Sequence, residues 1–262
     1  MAFSELHFYS DMLGHAVSAC VILPEYGRTL IGMESGKQEG ESLKTLYLLH
    51  GLSDDHTIWM RRSSIERYAA ALGIAVIMPD GGRSWYTDMA YGGRYFSFLT
   101  EELPEKCRLL FRGISGKKED TFIAGLSMGG YGAVKAAYTY PERYAAAASL
   151  SGAFAVAKED RIKRGADVRE WDAIFGSEPI TGSKHDVFAL AEKQAELPPT
   201  YLWCGKSDVL LPATEKMDAI LTERGALHET LITEGDHSWK YWDEHIMPAL
   251  RWLLDAAKGN KS

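Results

Sequence analysis

A serine between two glycines is the first feature of this chain that could do chemistry. The segment TFIAGLSMGGYGAVKAAY contains the pattern Gly-x-Ser-x-Gly at Gly125, Ser127 and Gly129, between a strand-like run and a helix-like run. In such an elbow the serine adopts a strained backbone conformation, and a side chain at either glycine would collide with the turn. The pattern predicts that Ser127 is a nucleophile at the N-terminus of a helix, where developing negative charge is favoured.

A serine hydroxyl is a weak nucleophile at neutral pH and needs a histidine base that an acid orients. After this type of elbow, the acid and then the histidine follow along the chain. Asp208 follows the strand-like run TYLWC, and His237 follows the run ETLIT. Each therefore lies where a strand meets a loop, the edge at which ligands bind in open α/β sheets. We expect Asp208 and His237 to complete a triad; Asp236 is the competing acid, disfavoured because a sequence neighbour points away from the imidazole.

The negative charge that forms on a substrate oxygen needs two backbone N–H donors. The residue after the nucleophile, Met128, is expected to supply one of them. The other is expected from Leu52, which follows the strand-like segment LKTLYLLHG. His50 is interpreted as a hydrogen-bonded structural residue, with a role as base as the alternative. The remaining histidines have no comparable setting and are interpreted as surface or strand residues: His7, His15, His56, His185, His228 and His245.

Apolar runs of strand length alternate with helical patterns along the chain. Several runs are apolar on both faces, as strands covered by helices on both sides must be. The alternation predicts an α/β fold with a mostly parallel sheet flanked by helices on both faces, with residues 5–10 opening an antiparallel edge. The other predicted strands span 17–23, 43–49, 74–78, 122–124, 145–150, 201–204 and 229–232, and the predicted helices span 65–72, 129–140, 213–224 and 241–258.

The length and composition suit one globular domain. The chain has 262 residues, of which 46% are apolar and 25% charged, enough to form one core around a single sheet. We expect residues 1–262 to form this domain. Residues 155–196 interrupt the regular alternation with charges, the aromatic pair Trp171 and Phe175 and a turn-rich stretch, and are interpreted as a small cap-like excursion over one end of the sheet.

The charge and the missing motifs exclude several classes of partner. The net charge is −7 and the basic residues are scattered, so a nucleic acid partner is not expected. There is no apolar run of about 18 residues and no signal-peptide pattern at the N-terminus, so we expect a cytoplasmic protein without a membrane partner. Motifs for metals or phosphate loops are lacking, so no cofactor or metal is expected. The three separated cysteines are interpreted as buried thiols, and the assembly state is left open, a homo-oligomer included.

Four segments together resemble a known family: LYLLHGLSDDHTIW, SWYTDMAYGGRYFSFLTEELP, AGLSMGGYGAVKAA and GDHSWKYWDEHI. They are similar to the α/β-hydrolases that include tributyrin esterases, esterase D (S-formylglutathione hydrolase), feruloyl esterases and mycolyltransferases, above all to the bacterial tributyrin esterases. The resemblance covers nearly the whole chain. It implies the same triad and the same oxyanion donors, and it implies that Trp85, Tyr86 and Asp88 approach the mouth of the active site.

The function predicted from these residues is a serine carboxylesterase that hydrolyses short-chain acyl esters of small molecules through an acyl-enzyme. A short acyl group is expected to contact Phe154, Trp171 and Phe175, since the charged excursion leaves no long apolar lid. Two alternative activities remain: S-formylglutathione hydrolase, or an acetyl or feruloyl esterase that acts on plant-derived oligosaccharide esters. A catalytically inactive hydrolase fold used as a binding module is the non-enzymatic alternative.

Overall fold

A computed structural model describes residues 1–25, 31, 35–36, 42–158, 162 and 165–259. Its strands are β1 Ala2–Ser10, β2 His15–Leu23, β3 Thr45–Leu49, β4 Ala75–Pro79, β5 Thr121–Leu126, β6 Ala146–Leu150, β7 Thr200–Gly205 and β8 His228–Thr233. Its α-helices are α1 Ile58–Arg62, α2 Ile65–Leu72, α3 Tyr95–Ser97, α4 Leu103–Leu110, α5 Met128–Thr139, α6 Val168–Phe175, α7 Val187–Lys193, α8 Leu211–Glu223 and α9 Trp239–Gly259, with a π-helical turn, Phe98–Glu102, between α3 and α4.

The described strands form one eight-stranded sheet in the order β1-β2-β4-β3-β5-β6-β7-β8. β1 pairs antiparallel with β2, and β2 pairs antiparallel with β4. The pairs from β4 through β3, β5, β6 and β7 to β8 are parallel. The predicted mostly parallel sheet with an antiparallel edge is confirmed.

Two apolar cores lie on opposite faces of the sheet because successive side chains of a strand point to opposite sides. In β3, for example, Tyr47 and Leu49 belong to one core, while Leu46 and Leu48 belong to the other. Residues of α5 and α8 cover the first face, and residues of α2 and α9 cover the second. Helices therefore flank both faces, as predicted.

The excursion contains two short helices, α6 and α7, that the sequence analysis did not predict. Each begins with an aspartate whose carboxylate accepts hydrogen bonds from the first turn, Asp167 for α6 and Asp186 for α7. The buried residues of α6 are Trp171, Ile174 and Phe175. Part of the charged stretch expected in this excursion, residues 159–161, 163 and 164, lies outside the described residues.

Candidate active site

The strand β5 turns into helix α5 at Ser127. This serine has φ 52° and ψ −115°, a strained conformation for a residue with a side chain. A Cβ on Gly125 would lie 2.4 Å from the carbonyl carbon of Gly129, and a Cβ on Gly129 would lie 2.5 Å from the carbonyl oxygen of Leu49. Glycine is therefore required at both positions: at Gly125 because of the turn itself, as the sequence pattern indicated, and at Gly129 because of the end of β3. The turn presents the serine hydroxyl at the carboxyl end of the sheet.

The structure brings Ser127, His237 and Asp208 together at this edge. The Nε2 atom of His237 lies 3.0 Å from Ser127 Oγ, and its Nδ1 atom lies 2.9 Å from Asp208 Oδ2. The three residues follow β5, β8 and β7, so each comes from the carboxyl end of a different parallel strand. The Asp208 side chain is fully buried, whereas that of His237 is 33% exposed. The competing acid, Asp236, is exposed.

Asp208 stays ionised although it is buried. Burial opposes its negative charge, but hydrogen bonds from His237, from the Leu210 amide and from the Ser151 hydroxyl hold its pKa below the usual value. The Leu210 amide donates to Asp208 Oδ1 at 2.8 Å, which leaves Oδ2 for the imidazole. A charged Asp208 requires a donor at Nδ1 of His237, so the unprotonated nitrogen of the neutral imidazole is Nε2, which faces the serine hydroxyl.

The two expected oxyanion donors belong to segments that lie next to Ser127. Met128 is the first residue of α5, so its N–H has no acceptor within the helix. Leu52 follows Gly51, and a Cβ on Gly51 would lie 3.7 Å from the Cβ of Ser127. The turn that carries Leu52 is closed by a hydrogen bond of 3.2 Å from the Asp54 amide to the Gly51 carbonyl.

His50 holds this turn in place. The buried imidazole donates from Nδ1 to the Gly51 carbonyl at 2.8 Å, and its Nε2 accepts a hydrogen bond of 2.8 Å from the Gly81 amide. Both ring nitrogens are therefore engaged with backbone groups, and neither faces a serine as a base would. The hydroxyl of Tyr86 donates to the His50 carbonyl at 3.1 Å, so a second side chain fixes the same turn.

The residues expected to contact substrate do not line one common pocket. Trp85 and Trp171 line a cavity of about 380 Å³ together with Leu52, which we call the Leu52 cavity. Phe154 and Phe175 border two other cavities. Tyr86 has 1% of its surface exposed, and its ring packs beneath the turn that carries Leu52, where its hydroxyl donates to the His50 carbonyl.

Asp88, which the resemblance also placed at the mouth, has a structural role. Its carboxylate accepts hydrogen bonds from the Ser97 amide at 2.9 Å and the Ser97 hydroxyl at 2.7 Å. These bonds tie the loop after β4 to the first turn of α3.

Three residues were not predicted from the sequence: Ser151 and Trp242 beside the triad, and Arg83 at the Leu52 cavity. Ser151 follows β6 with φ 52°, and its hydroxyl connects Asp208 with the Trp242 indole. Arg83 forms an ion pair with Glu170 of α6 at the Leu52 cavity. The position of Ser151 after a strand could have drawn attention to it, whereas no local pattern in the sequence relates Arg83 to Glu170.

Comparisons with known proteins find an esterase family and related serine hydrolases. A family model described as "Putative esterase" matches residues 10–253. An acetyl esterase from Caldicellulosiruptor saccharolyticus is 31% identical, over 97% of this chain and 98% of that protein. Two Staphylococcus aureus structures are each 34% identical and cover 97% of this chain and 98% of their own. They are the fluorophosphonate-binding serine hydrolase FphF with bound substrate, at a TM-score of 0.84, and the S-formylglutathione hydrolase FrmB without ligand, at 0.82.

Proposed function

The chain belongs to the esterase family of that model and has the α/β-hydrolase fold, and from this premise we propose that it hydrolyses short-chain acyl esters with Ser127, His237 and Asp208 as its triad. The observation that carries the proposal is the continuous hydrogen-bonded chain from Ser127 Oγ through the imidazole to the buried carboxylate. Such a chain activates a serine hydroxyl at neutral pH.

In the proposed reaction, Ser127 Oγ attacks the carbonyl carbon of the ester while His237 Nε2 accepts the hydroxyl proton. The negative charge moves to the carbonyl oxygen, where the amides of Leu52 and Met128 donate hydrogen bonds to it. The bond to the leaving alcohol then breaks, and His237 returns the proton to the alcohol oxygen. Asp208 keeps the imidazole oriented and stabilises its protonated form throughout.

The acyl-enzyme is then hydrolysed by the same groups. Water attacks the acyl carbon and gives a proton to His237, and the second tetrahedral intermediate is held by the same two amides. Its collapse releases the carboxylic acid and returns the proton to Ser127 Oγ. No atom beyond the protein, the ester and water is required.

The test measures p-nitrophenol release after rapid mixing with p-nitrophenyl acetate, first for the wild type and then for the Ser127→Ala variant. We expect the wild type to release p-nitrophenol with turnover, and the variant to lose at least three decades of kcat, since triad serines contribute on this scale. The Ser177→Ala variant removes an exposed serine hydroxyl and controls for nonspecific loss. A Ser127→Ala protein that keeps a tenth of wild-type kcat would contradict the assignment.

Thioester hydrolysis is a second candidate, favoured by the 34% identity to a protein named S-formylglutathione hydrolase. The same acyl-enzyme route would release a thiol in place of an alcohol. Measuring kcat/KM for S-formylglutathione beside acetyl and butyryl esters separates the two activities. Acetylated and feruloylated oligosaccharides belong in the same panel, because the sequence left these substrates open. A protein that turns over none of them would instead fit the inactive binding module.

We also propose that residues 1–262 act as one domain in the cytoplasm, with residues 155–196 as a small cap. The packing of α6 against the loop after β4 supports the cap: the Ala90 and Tyr91 amides donate to the carbonyls of Ile174 and Ala173 at 3.0 and 2.9 Å. Among the described residues, no helix is long and apolar enough to cross a bilayer. A single unfolding transition and cell fractionation would test the two parts of this proposal.

A further inference from the structure

The Leu52 cavity begins beside an expected oxyanion donor and is walled by two indoles. Leu52 follows Gly51, which packs near Ser127, while Trp85 and Trp171 are 2% and 3% exposed and line the inner side. The two indole rings meet edge to face, with centroids 5.1 Å apart. Leu52, whose turn packs near Ser127, is therefore the residue that joins this aromatic-walled cavity to the expected oxyanion site.

An ion pair stands on the solvent-facing side of the same cavity. Arg83 and Glu170 both line it, and their side chains are 53% and 34% exposed. The guanidinium holds the carboxylate with two hydrogen bonds, from Nε to Oε1 and from Nη2 to Oε2, the latter of 2.8 Å. Two parallel hydrogen bonds fix the planes of both groups relative to each other, so this contact is more directional than an ion pair with one hydrogen bond.

The ion pair connects the loop after β4 with the N-terminal turn of α6. Arg83 belongs to the loop after β4, and Glu170 lies in the first turn of α6. The opposite end of α6 is held to this loop by backbone hydrogen bonds to the carbonyls of Ala173 and Ile174. The Arg83–Glu170 contact therefore fixes the N-terminal end of α6 across the cavity.

We propose that the Arg83–Glu170 ion pair closes the outer side of the Leu52 cavity and so limits the length of the acyl group that the enzyme accepts. The proposal rests on the function proposed above. An acetyl to butyryl group fits against the indoles, whereas a longer chain meets two charged groups that are already paired. A methylene that lies beside a charged pair does not raise kcat/KM. A methylene that is buried in an open apolar cavity raises kcat/KM about fourfold.

The experiment measures kcat/KM for p-nitrophenyl esters of two to twelve carbons, below their micelle concentrations. The variants are Arg83→Ala, Glu170→Ala and the double variant. We expect the ratio of octanoyl to butyryl kcat/KM to rise at least tenfold in each single variant. Because both truncations remove the same contact, the double variant should show no more than the larger of the two single effects.

Asp172→Ala is the matched control. Asp172 also belongs to α6 and pairs with Lys158, but it does not line the Leu52 cavity. This variant loses an ion pair from the same helix, and its octanoyl to butyryl ratio should stay within twofold of wild type. If the octanoyl to butyryl ratio of Asp172→Ala rises as much as that of Glu170→Ala, general loosening of α6 sets the acyl length and the proposal is wrong.

The other outcomes separate this proposal from the proposed function. A wild-type maximum at eight carbons or more, or single variants whose ratio is unchanged, would overturn the acyl limit while leaving the triad intact. Loss of acetyl ester turnover in Ser127→Ala, measured in the same assay, tests the triad independently. Unfolding midpoints of all variants show whether a change in the ratio accompanies a loss of structure.

Discussion

The indole of Trp242 stands edge-on to the imidazole of His237, with ring centroids 4.9 Å apart and ring planes at 88°. The same indole donates from Nε1 to Ser151 Oγ at 3.2 Å, and the Ser151 hydroxyl hydrogen-bonds with Asp208. Trp242 therefore contacts the histidine directly and supports the acid through Ser151. The triad is held by a side chain of the last helix as well as by three strand ends.

Trp242→Phe should lower kcat about threefold to tenfold with little change in KM. Phenylalanine keeps an aromatic edge near His237 but removes the N–H that fixes Ser151, and one neutral hydrogen bond is worth about 1 kcal/mol. Steady-state kinetics with p-nitrophenyl acetate measure the effect. Trp252→Phe, in the same helix but packed on Tyr201, is the control and should leave kcat unchanged. Equal losses in the two variants would contradict the supporting role of Trp242.

Asp208→Asn should reduce kcat by two decades or more, because the amide can present a donor to Nδ1 and so favour the wrong tautomer of His237. The matched control is Asp236→Asn, which changes the exposed neighbour of the histidine and should keep at least half of wild-type kcat. Both rates are measured at pH 8 with the acetyl ester. A fully active Asp208→Asn enzyme that is inactivated by Asp236→Asn would transfer the acid role to Asp236.

The buried Lys135 should make the free energy of unfolding depend on pH in the alkaline range. It is 2% exposed, and burial lowers its pKa to about 7, partly opposed by the charge of Asp88 and reinforced by Lys184. Its Nζ donates to Thr87 Oγ1 at 2.7 Å and lies 3.3 Å from Nδ1 of His185. Above pH 7 the folded chain has released this proton while the unfolded chain keeps it, so the free energy of unfolding should rise with pH until the unfolded lysine also titrates.

Lys135→Met removes this titration. The difference in unfolding free energy between wild type and variant should therefore shift in favour of wild type by up to about 1.4 kcal/mol per pH unit between about pH 7.5 and 9.5. Urea unfolding at pH 6, 7, 8 and 9 measures it, and below about pH 7 the difference should level off. A difference that stays constant from pH 6 to 9 would mean that Lys135 is charged throughout this range in the folded protein.

Glu102→Gln should destabilise the fold by about 1 to 3 kcal/mol, because a buried carboxylate that accepts several hydrogen bonds is replaced by an amide that can accept fewer. Glu102 accepts from the Ser10 hydroxyl, from the Asp11 amide at 2.9 Å and from the Met12 amide at 3.3 Å. It fixes the turn between β1 and β2. Urea midpoints measure the loss, with the exposed neighbour Glu101→Gln as a control that should change little.

The sheet and the elbow could be predicted because their signals are local. Runs that are apolar on both faces marked the strands to within a few residues, and helix α2 spans Ile65–Leu72 as expected. The spacing of Gly125 and Gly129 reflects in part the close packing of the turn on itself, since a Cβ on Gly125 would collide with Gly129, so the pattern contains much of the geometry. Asp208 and His237 could be found because each lies in the short loop after a strand, three residues beyond β7 and four residues beyond β8.

The remaining features depend on contacts between distant segments. Arg83 and Glu170 are 87 residues apart in sequence, and neither has a local pattern that identifies the other. The family resemblance implied that Tyr86 approaches the mouth; its ring packs against α5, where a Cβ on Gly132 would lie 2.5 Å from it. A sequence pattern cannot show which of two adjacent aromatic rings enters such a gap.

The close packing of Gly129 against the end of β3 has a consequence for how this enzyme could be diversified. The backbone at Gly129 packs directly on the backbone of Leu49 and His50, so the turn that carries Ser127 is set against the strand that leads to Leu52 without an intervening side chain. The Leu52 cavity, in contrast, is built from side chains of the loop after β4 and of α6. A library randomised at positions 83 and 170 would therefore explore new substrates on a constant reaction geometry.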